Sequence, residues 1–209
     1  GKNVRIIDVP GTYPNPFDFN MIESYSKNAC LREAKGEYTC MTSADQIMSK
    51  NFFTFLESDS LRHGVFYRFA TYEIPRFDTS GLNVESILER CERERPTARL
   101  CNKGCFEGKL TPTKLSQKSG DIMMLDTESF REIKGWPENE CYHHVDYSVC
   151  IVVFNRFDIE VPPKEICTFT LSQPYRTPSH NAPNITITIS REQYETIRAH
   201  GYMLRDTCN

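Results

Sequence analysis

Apolar and polar residues alternate from Asn3 to Val9, a β-branched run that predicts a strand closed by the Pro10-Gly11 turn. After Pro14 and Pro16 the spacing becomes helical, predicting a helix over 18–34 with Gly36 as the left-handed stop just past its end. Glu37 to Thr42 then reads as a short strand. Ser49 can cap a helix that turns Phe52, Phe53 and Leu56 inward. The longest β-like run is 64–74, closed by Pro75. Strand, helix, strand, helix, strand in this order predicts an α/β fold with right-handed crossovers onto a largely parallel sheet.

The texture changes over 76–118. Val84, Ile87, Leu88 and Cys91 mark an amphipathic helix whose other side carries Glu85, Glu89, Arg90, Glu92 and Arg93, and Pro96 ends it. The remainder, to Lys118, has no clear period, and 76–118 reads as an insertion near the acceptor side of a site. The sheet resumes over 119–125. Thr127 can cap a short helix to Ile133, residues 134–138 stop it, and Val149 to Phe154 is an apolar helix. The strict alternation of 184–190 predicts a half-exposed antiparallel edge strand, and Ser190 with Gln193 forms a capping box for a last helix ending at His200-Gly201. One domain over 1–209 is expected.

Composition narrows the class. The chain has 209 residues, 39% of them apolar, enough for one sizeable core. Its 25 basic and 28 acidic residues leave a net charge of -3, without the basic footprint of a nucleic-acid binder. No apolar run approaches the ~18 residues of a membrane span, and the start lacks the order of a signal peptide. The nine cysteines are odd in number and several lie in apolar stretches, so reduced thiols and a cytoplasmic setting are expected; the secretory lumen is the alternative for a longer chain. Cys101 and Cys105, with Cys91, Cys141 and His143, stand against this as a disulfide or zinc loop, though their spacing suits zinc poorly.

Four places carry candidate chemistry. Asp45 stands where the 37–42 strand runs out; it either faces a ligand or turns the chain. Asn28, Arg32 and Lys35 share a helix face that can meet a phosphate or simply be solvated. Acids and histidines crowd the mouth of the 149–154 helix, with Glu138, His143, His144 and Asp146, and can supply a base, a metal ligand or hydroxyl-binding groups. Arg176 and His180 lie in a Pro/Ser/Thr-rich loop over 171–183.

Three pieces in this order resemble a nucleotide-sugar glycosyltransferase of the GT-A fold, in the broad family-two group. The first is Asn28-Ala-Cys-Leu-Arg-Glu-Ala-Lys-Gly36-Glu-Tyr followed by Thr42-Ser-Ala-Asp45, where that family carries its aspartate motif. The second is Ser119-Gly120-Asp121 with Ser129 to Glu138, including Gly135-Trp136-Pro137. The third is His144-Val-Asp146, at the place of the family's catalytic carboxylate. The resemblance covers roughly residues 20–155.

It implies a Rossmann-like, mostly parallel central sheet flanked by helices, and sugar transfer from a nucleoside-diphosphate sugar to a hydroxyl of a glycan or other acceptor, with inversion. Asp146 would be the base. Asp45 would hold a divalent metal, Mn2+ or Mg2+, or the donor phosphate, with Asn28, Lys35 and Arg176 on the donor side. Asp121, Trp136 and Glu138 would grip sugar hydroxyls and a sugar face, His143 and His144 would orient Asp146 or contact phosphate, and His180 would be a further metal ligand. Ser43 stands where the family has the first of two acids, so metal-free transfer is the alternative to metal use. The chain opens at what would be the family's third strand, so either it is a portion of a longer protein with a further domain upstream, or the nucleotide-base contacts come from elsewhere, or the fold is kept without activity. A glycan- or partner-binding domain without turnover is the competing expectation. A metal hydrolase using His143, His144 and Asp146 ranks behind it, since the three are too close in sequence for ligands one helical turn apart.

Overall fold

The computed structural model describes residues 23–136 and 145–172. In chain order these form α1 (Glu23–Glu33), β1 (Tyr38–Thr42), β2 (Gln46–Met48), α2 (Lys50–Leu56), β3 (Val65–Tyr67), β4 (Ala70–Ile74) and α3 (Val84–Glu94). There follow β5 (Arg99–Leu100), α4 (Pro112–Leu115), β6 (Ile122–Asp126), α5 (Thr127–Glu132), α6 (Val145–Arg156), β7 (Asp158–Glu160) and β8 (Cys167–Leu171).

The strands form two four-stranded sheets, in the orders β1, β6, β3, β7 and β2, β8, β4, β5. Each contains a single parallel pair, β3 with β7 and β4 with β8; the other pairings are antiparallel. This corrects the expected mostly parallel GT-A sheet. Only residues 43–45 separate β1 from β2, far fewer than a crossover needs, so the chain passes directly from the first sheet to the second. The 64–74 run makes the same passage at Arg68 and Phe69, so it is two strands rather than one. Apolar periodicity reports burial, and it is blind to strand direction.

The central strand of the first sheet, β6, is buried along its whole length. Met123 and Leu125 face a core made with Leu31, Phe130, Trp136, Val149, Val152 and Val153, whereas Ile122 and Met124 face Phe52, Phe55, Tyr67 and Phe69. Helices cover both faces, which is why this strand reads as continuously apolar. Each such side chain contributes about 1.5–3 kcal/mol by leaving water. A third cluster, with Tyr72, Ile74, Leu88, Cys91 and Phe169, seats α3 on the second sheet.

Local signals mostly hold, with corrections. Ser49 caps α2 by accepting from the Phe52 amide at 3.1 Å, but Phe55 rather than Phe53 turns inward, and Phe53 is half exposed. The cap of α5 is Asp126, not Thr127; its Oδ1 accepts from the Ser129 amide at 2.9 Å. Gly135 takes the left-handed conformation at φ 68° and stops α5, whereas Gly36 is not left-handed. The 76–118 segment is packed rather than open: Asn102 is buried, donating to the Phe69 carbonyl at 2.7 Å and accepting from the Thr71 amide at 3.0 Å. The seven described cysteines are free thiols. The expected edge strand and last helix, and the first strand, lie outside the described residues. Among the described residues no helix is long and apolar enough to cross a membrane.

Candidate functional site

Where β1 leaves its sheet, the chain is knitted to the start of β6. The Ser43 amide donates to the Asp121 carbonyl at 3.2 Å, the Ser43 hydroxyl to the Gly120 carbonyl at 2.9 Å, and the Thr42 hydroxyl to the Asp121 carbonyl at 2.9 Å. The passage that follows carries Asp45 to an exposed position. Its oxygens accept only long bonds, from Thr170 at 3.4 Å and from Gln46 at 3.5 Å, so both remain available to a ligand.

Asp121 opens the same corner from the other strand. Its side chain is 13% exposed, with Lys118 Nζ 3.7 Å from Oδ2. Oδ2 is buried and accepts no hydrogen bond. Burial pushes this carboxyl above the usual aspartate range; Lys118 pulls it back, Asp45 raises it again, and Arg68 opposes the rise. Asp45 and Asp121 therefore share one field. A carboxyl raised by burial, with one oxygen paired to an ammonium and a second acid nearby, has the chemistry to accept a hydroxyl proton.

Asp146, in the first turn of α6, approaches Gly120. A Cβ built on Gly120 would lie 2.7 Å from its Oδ2, so glycine lets the strand end and this carboxylate approach. Its other oxygen is occupied: Oδ1 accepts from Lys27 Nζ at 2.8 Å and from Trp136 Nε1 at 2.7 Å. The Lys27 and Asp146 side chains are only 11% and 16% exposed. Lys27 also lies over the Trp136 ring, 5.2 Å from its centroid. One oxygen thus ties α1, the segment after α5 and α6 together.

The expected site residues divide. Asp121 follows Gly120 and Asp146 approaches Gly120, while Asp45 is linked to this corner through its charge on Asp121. Trp136 does not present a face to a sugar: it is fully buried, stacked on Phe130 at 5.2 Å. Asn28 is buried too, its amide donating to the Trp136 carbonyl at 2.7 Å and accepting from the Trp136 amide at 2.8 Å. That is a scaffold role rather than a donor contact. Lys35 precedes β1 while Asp45 follows it, so the five residues of that strand hold them apart by roughly 14 Å of extended chain. Glu138, His143, His144, Arg176 and His180 lie outside the described residues. Lys27, Lys118 and Arg68 escape sequence reasoning, though an arginine inside the apolar run 65–70 is a visible signal.

Among the described residues no group of three or more His, Cys, Asp or Glu could hold a metal ion. Asp45 and the orphaned Asp121 oxygen are hard donors of the type Mn2+ or Mg2+ accepts, but the Lys118 ammonium already stands on that flank. The fit is therefore partial, and a phosphate drawn to Lys118 would supply further oxygens. No protein-family model matches the chain, and no curated protein matches it.

Proposed function

We propose that the chain transfers a glycosyl group from a nucleoside-diphosphate sugar to an acceptor hydroxyl at the corner formed by Ser43, Asp45, Gly120 and Asp121. The observation that carries this reading is the burial of the Asp121 carboxyl beside Asp45, with its Oδ2 free of hydrogen bonds and paired with Lys118 Nζ at 3.7 Å. A carboxyl made more basic by burial suits proton removal from a hydroxyl. The acceptor oxygen bonds to the anomeric carbon as the bond to the diphosphate breaks; the proton passes to Asp121, and the nucleoside diphosphate leaves. Lys118 offsets charge on the departing phosphate, and Asp45 would hold a divalent cation, which when bound would supply further charge neutralisation there. The base role moves from Asp146 to Asp121, because Asp146 Oδ1 is already bound by two donors. Asp146 instead positions the corner.

The test is nucleotide-sugar turnover and donor calorimetry with and without manganese. Asp121→Asn lowers turnover by about 10²-fold or more while donor affinity stays nearly unchanged. Undiminished turnover in that variant refutes the assignment.

One observation favours a second reading. The nearly buried tie of Asp146 to Lys27 and Trp136 is scaffold rather than machinery, as in a domain that holds a glycan or a partner without turnover. That reading predicts glycan binding with no cleavage of any nucleotide sugar.

A further inference from the structure

Arg68 sits where the 64–74 run leaves one sheet for the other, and it is fully buried. Its amide donates to the Glu160 carbonyl at 3.0 Å, which anchors the backbone beside β7. The guanidinium uses all three nitrogens on main-chain carbonyls: Nε on Leu115 at 3.1 Å, Nη2 on Gln117 at 2.7 Å, and Nη1 on Ile122. The Leu115 and Ile122 carbonyls bracket residues 116–121 and that of Gln117 lies within them; this loop contains Lys118 at φ 55°, Ser119, Gly120 and Asp121.

A buried charge whose hydrogen-bonded partners are all carbonyls contributes little net stability, because desolvation offsets most of what the bonds return. A planar fork does something a hydrophobe of similar volume cannot: it fixes three acceptors relative to one another. Here the fixed acceptors lie at both ends of, and within, the segment that presents the Asp121 carboxyl to Lys118.

We infer that Arg68 is a positioning residue whose fork holds the 116–121 loop in the conformation that sets the Asp121 carboxylate between Asp45 and Lys118. The inference rests on the reading of Asp121 as the working carboxylate. The charged and titratable groups facing Asp121 are Lys118, Asp45, Arg68 and the Cys101 thiol.

The test uses the whole chain with Arg68→Lys, which keeps the charge and loses the fork, and Arg68→Met, which loses both. Two quantities are read: amide hydrogen exchange, and the NMR titration of the Asp121 carboxyl carbon. The amides of Ser43, Ser119 and Asp121 report the loop, since they donate to the carbonyls of Asp121, Ser116 and Lys118. In Arg68→Lys these three exchange about tenfold faster or more, while amides between β4 and β8 keep their rates. The Asp121 midpoint falls toward the ordinary aspartate range as the freed carboxyl meets water. In Arg68→Met the same amides open and the midpoint moves from its wild-type value.

Unchanged exchange at the three amides in whichever variant folds overturns the inference. Faster exchange in Arg68→Lys with an unmoved Asp121 midpoint also overturns it, because the loop would then be held for its own sake. Asp121→Asn with full turnover would instead sink the functional reading and leave the loop result standing, so the two failures are distinguishable.

Discussion

Replacing Asp146 with alanine separates a scaffold carboxylate from a catalytic one. In the folded chain Asp146 Oδ1 receives the Lys27 ammonium and the Trp136 indole N–H, with the ion pair 11% and 16% exposed. Breaking a buried ion pair from one side costs about 3–5 kcal/mol, because the remaining charge stays desolvated. Residual water contact places this pair at or below the low end, about 2–3 kcal/mol. For a chain of this size that lowers Tm by about 4–12 °C. Urea denaturation of wild type, Asp146→Ala, Lys27→Met and the double variant measures it, and the cycle should return a coupling of about 1–2 kcal/mol. A base used only in turnover would leave stability nearly untouched. If Asp146→Ala unfolds within about 0.5 kcal/mol of wild type, the range of ordinary surface changes, the three-way tie is not holding these elements together.

Three further outcomes follow from the same corner. Gly120→Ala should destabilise by about 1–3 kcal/mol, because its Cβ would meet an Asp146 oxygen that Lys27 and Trp136 hold in place; adding Asp146→Ala should recover part of that loss, which chemical denaturation reads as non-additivity. Asp121→Asn should stabilise the fold above the ordinary aspartate range and do nothing below it. A carboxyl whose folded pKa is raised opposes folding as pH climbs from its unfolded toward its folded value, so denaturation midpoints compared in acid and at neutral pH should diverge only at neutral pH. Trp136→Phe should cost about 1–3 kcal/mol by removing the N–H that Asp146 accepts. As the chain has one tryptophan, fully buried, native fluorescence should be blue-shifted and move red on unfolding; a solvent-like native spectrum would contradict the burial.

Much of the local structure is legible from neighbouring residues. Ser49 caps its helix because a hydroxyl before an apolar period can reach an amide three positions on. Gly135 stops α5 because a left-handed turn there is open to a residue without a side chain. Asp45 stands out because it follows the end of a strand, and it is exposed; Asp121 stands out only through the resemblance, and it is mostly buried. The errors arise where a local signal has two tertiary outcomes. Trp136 after Gly135 suits a sugar platform or a core anchor; only packing against Phe130 and Lys27 selects the anchor. The 64–74 run is uniformly β-like, yet it divides at Arg68 between two sheets.

By itself, then, the sequence determines what depends on contacts a few residues apart: which segments are helical or extended, where caps and stops fall, and which side chains seek the core. The tertiary structure alone decides strand direction, the division into two sheets, and the partners of Asp146 and Arg68. Those features depend on pairings between residues tens of positions apart, such as Tyr38 with Asp126 and Lys27 with Asp146. A periodic pattern constrains the face a residue presents, and it carries no information on which distant segment will meet that face.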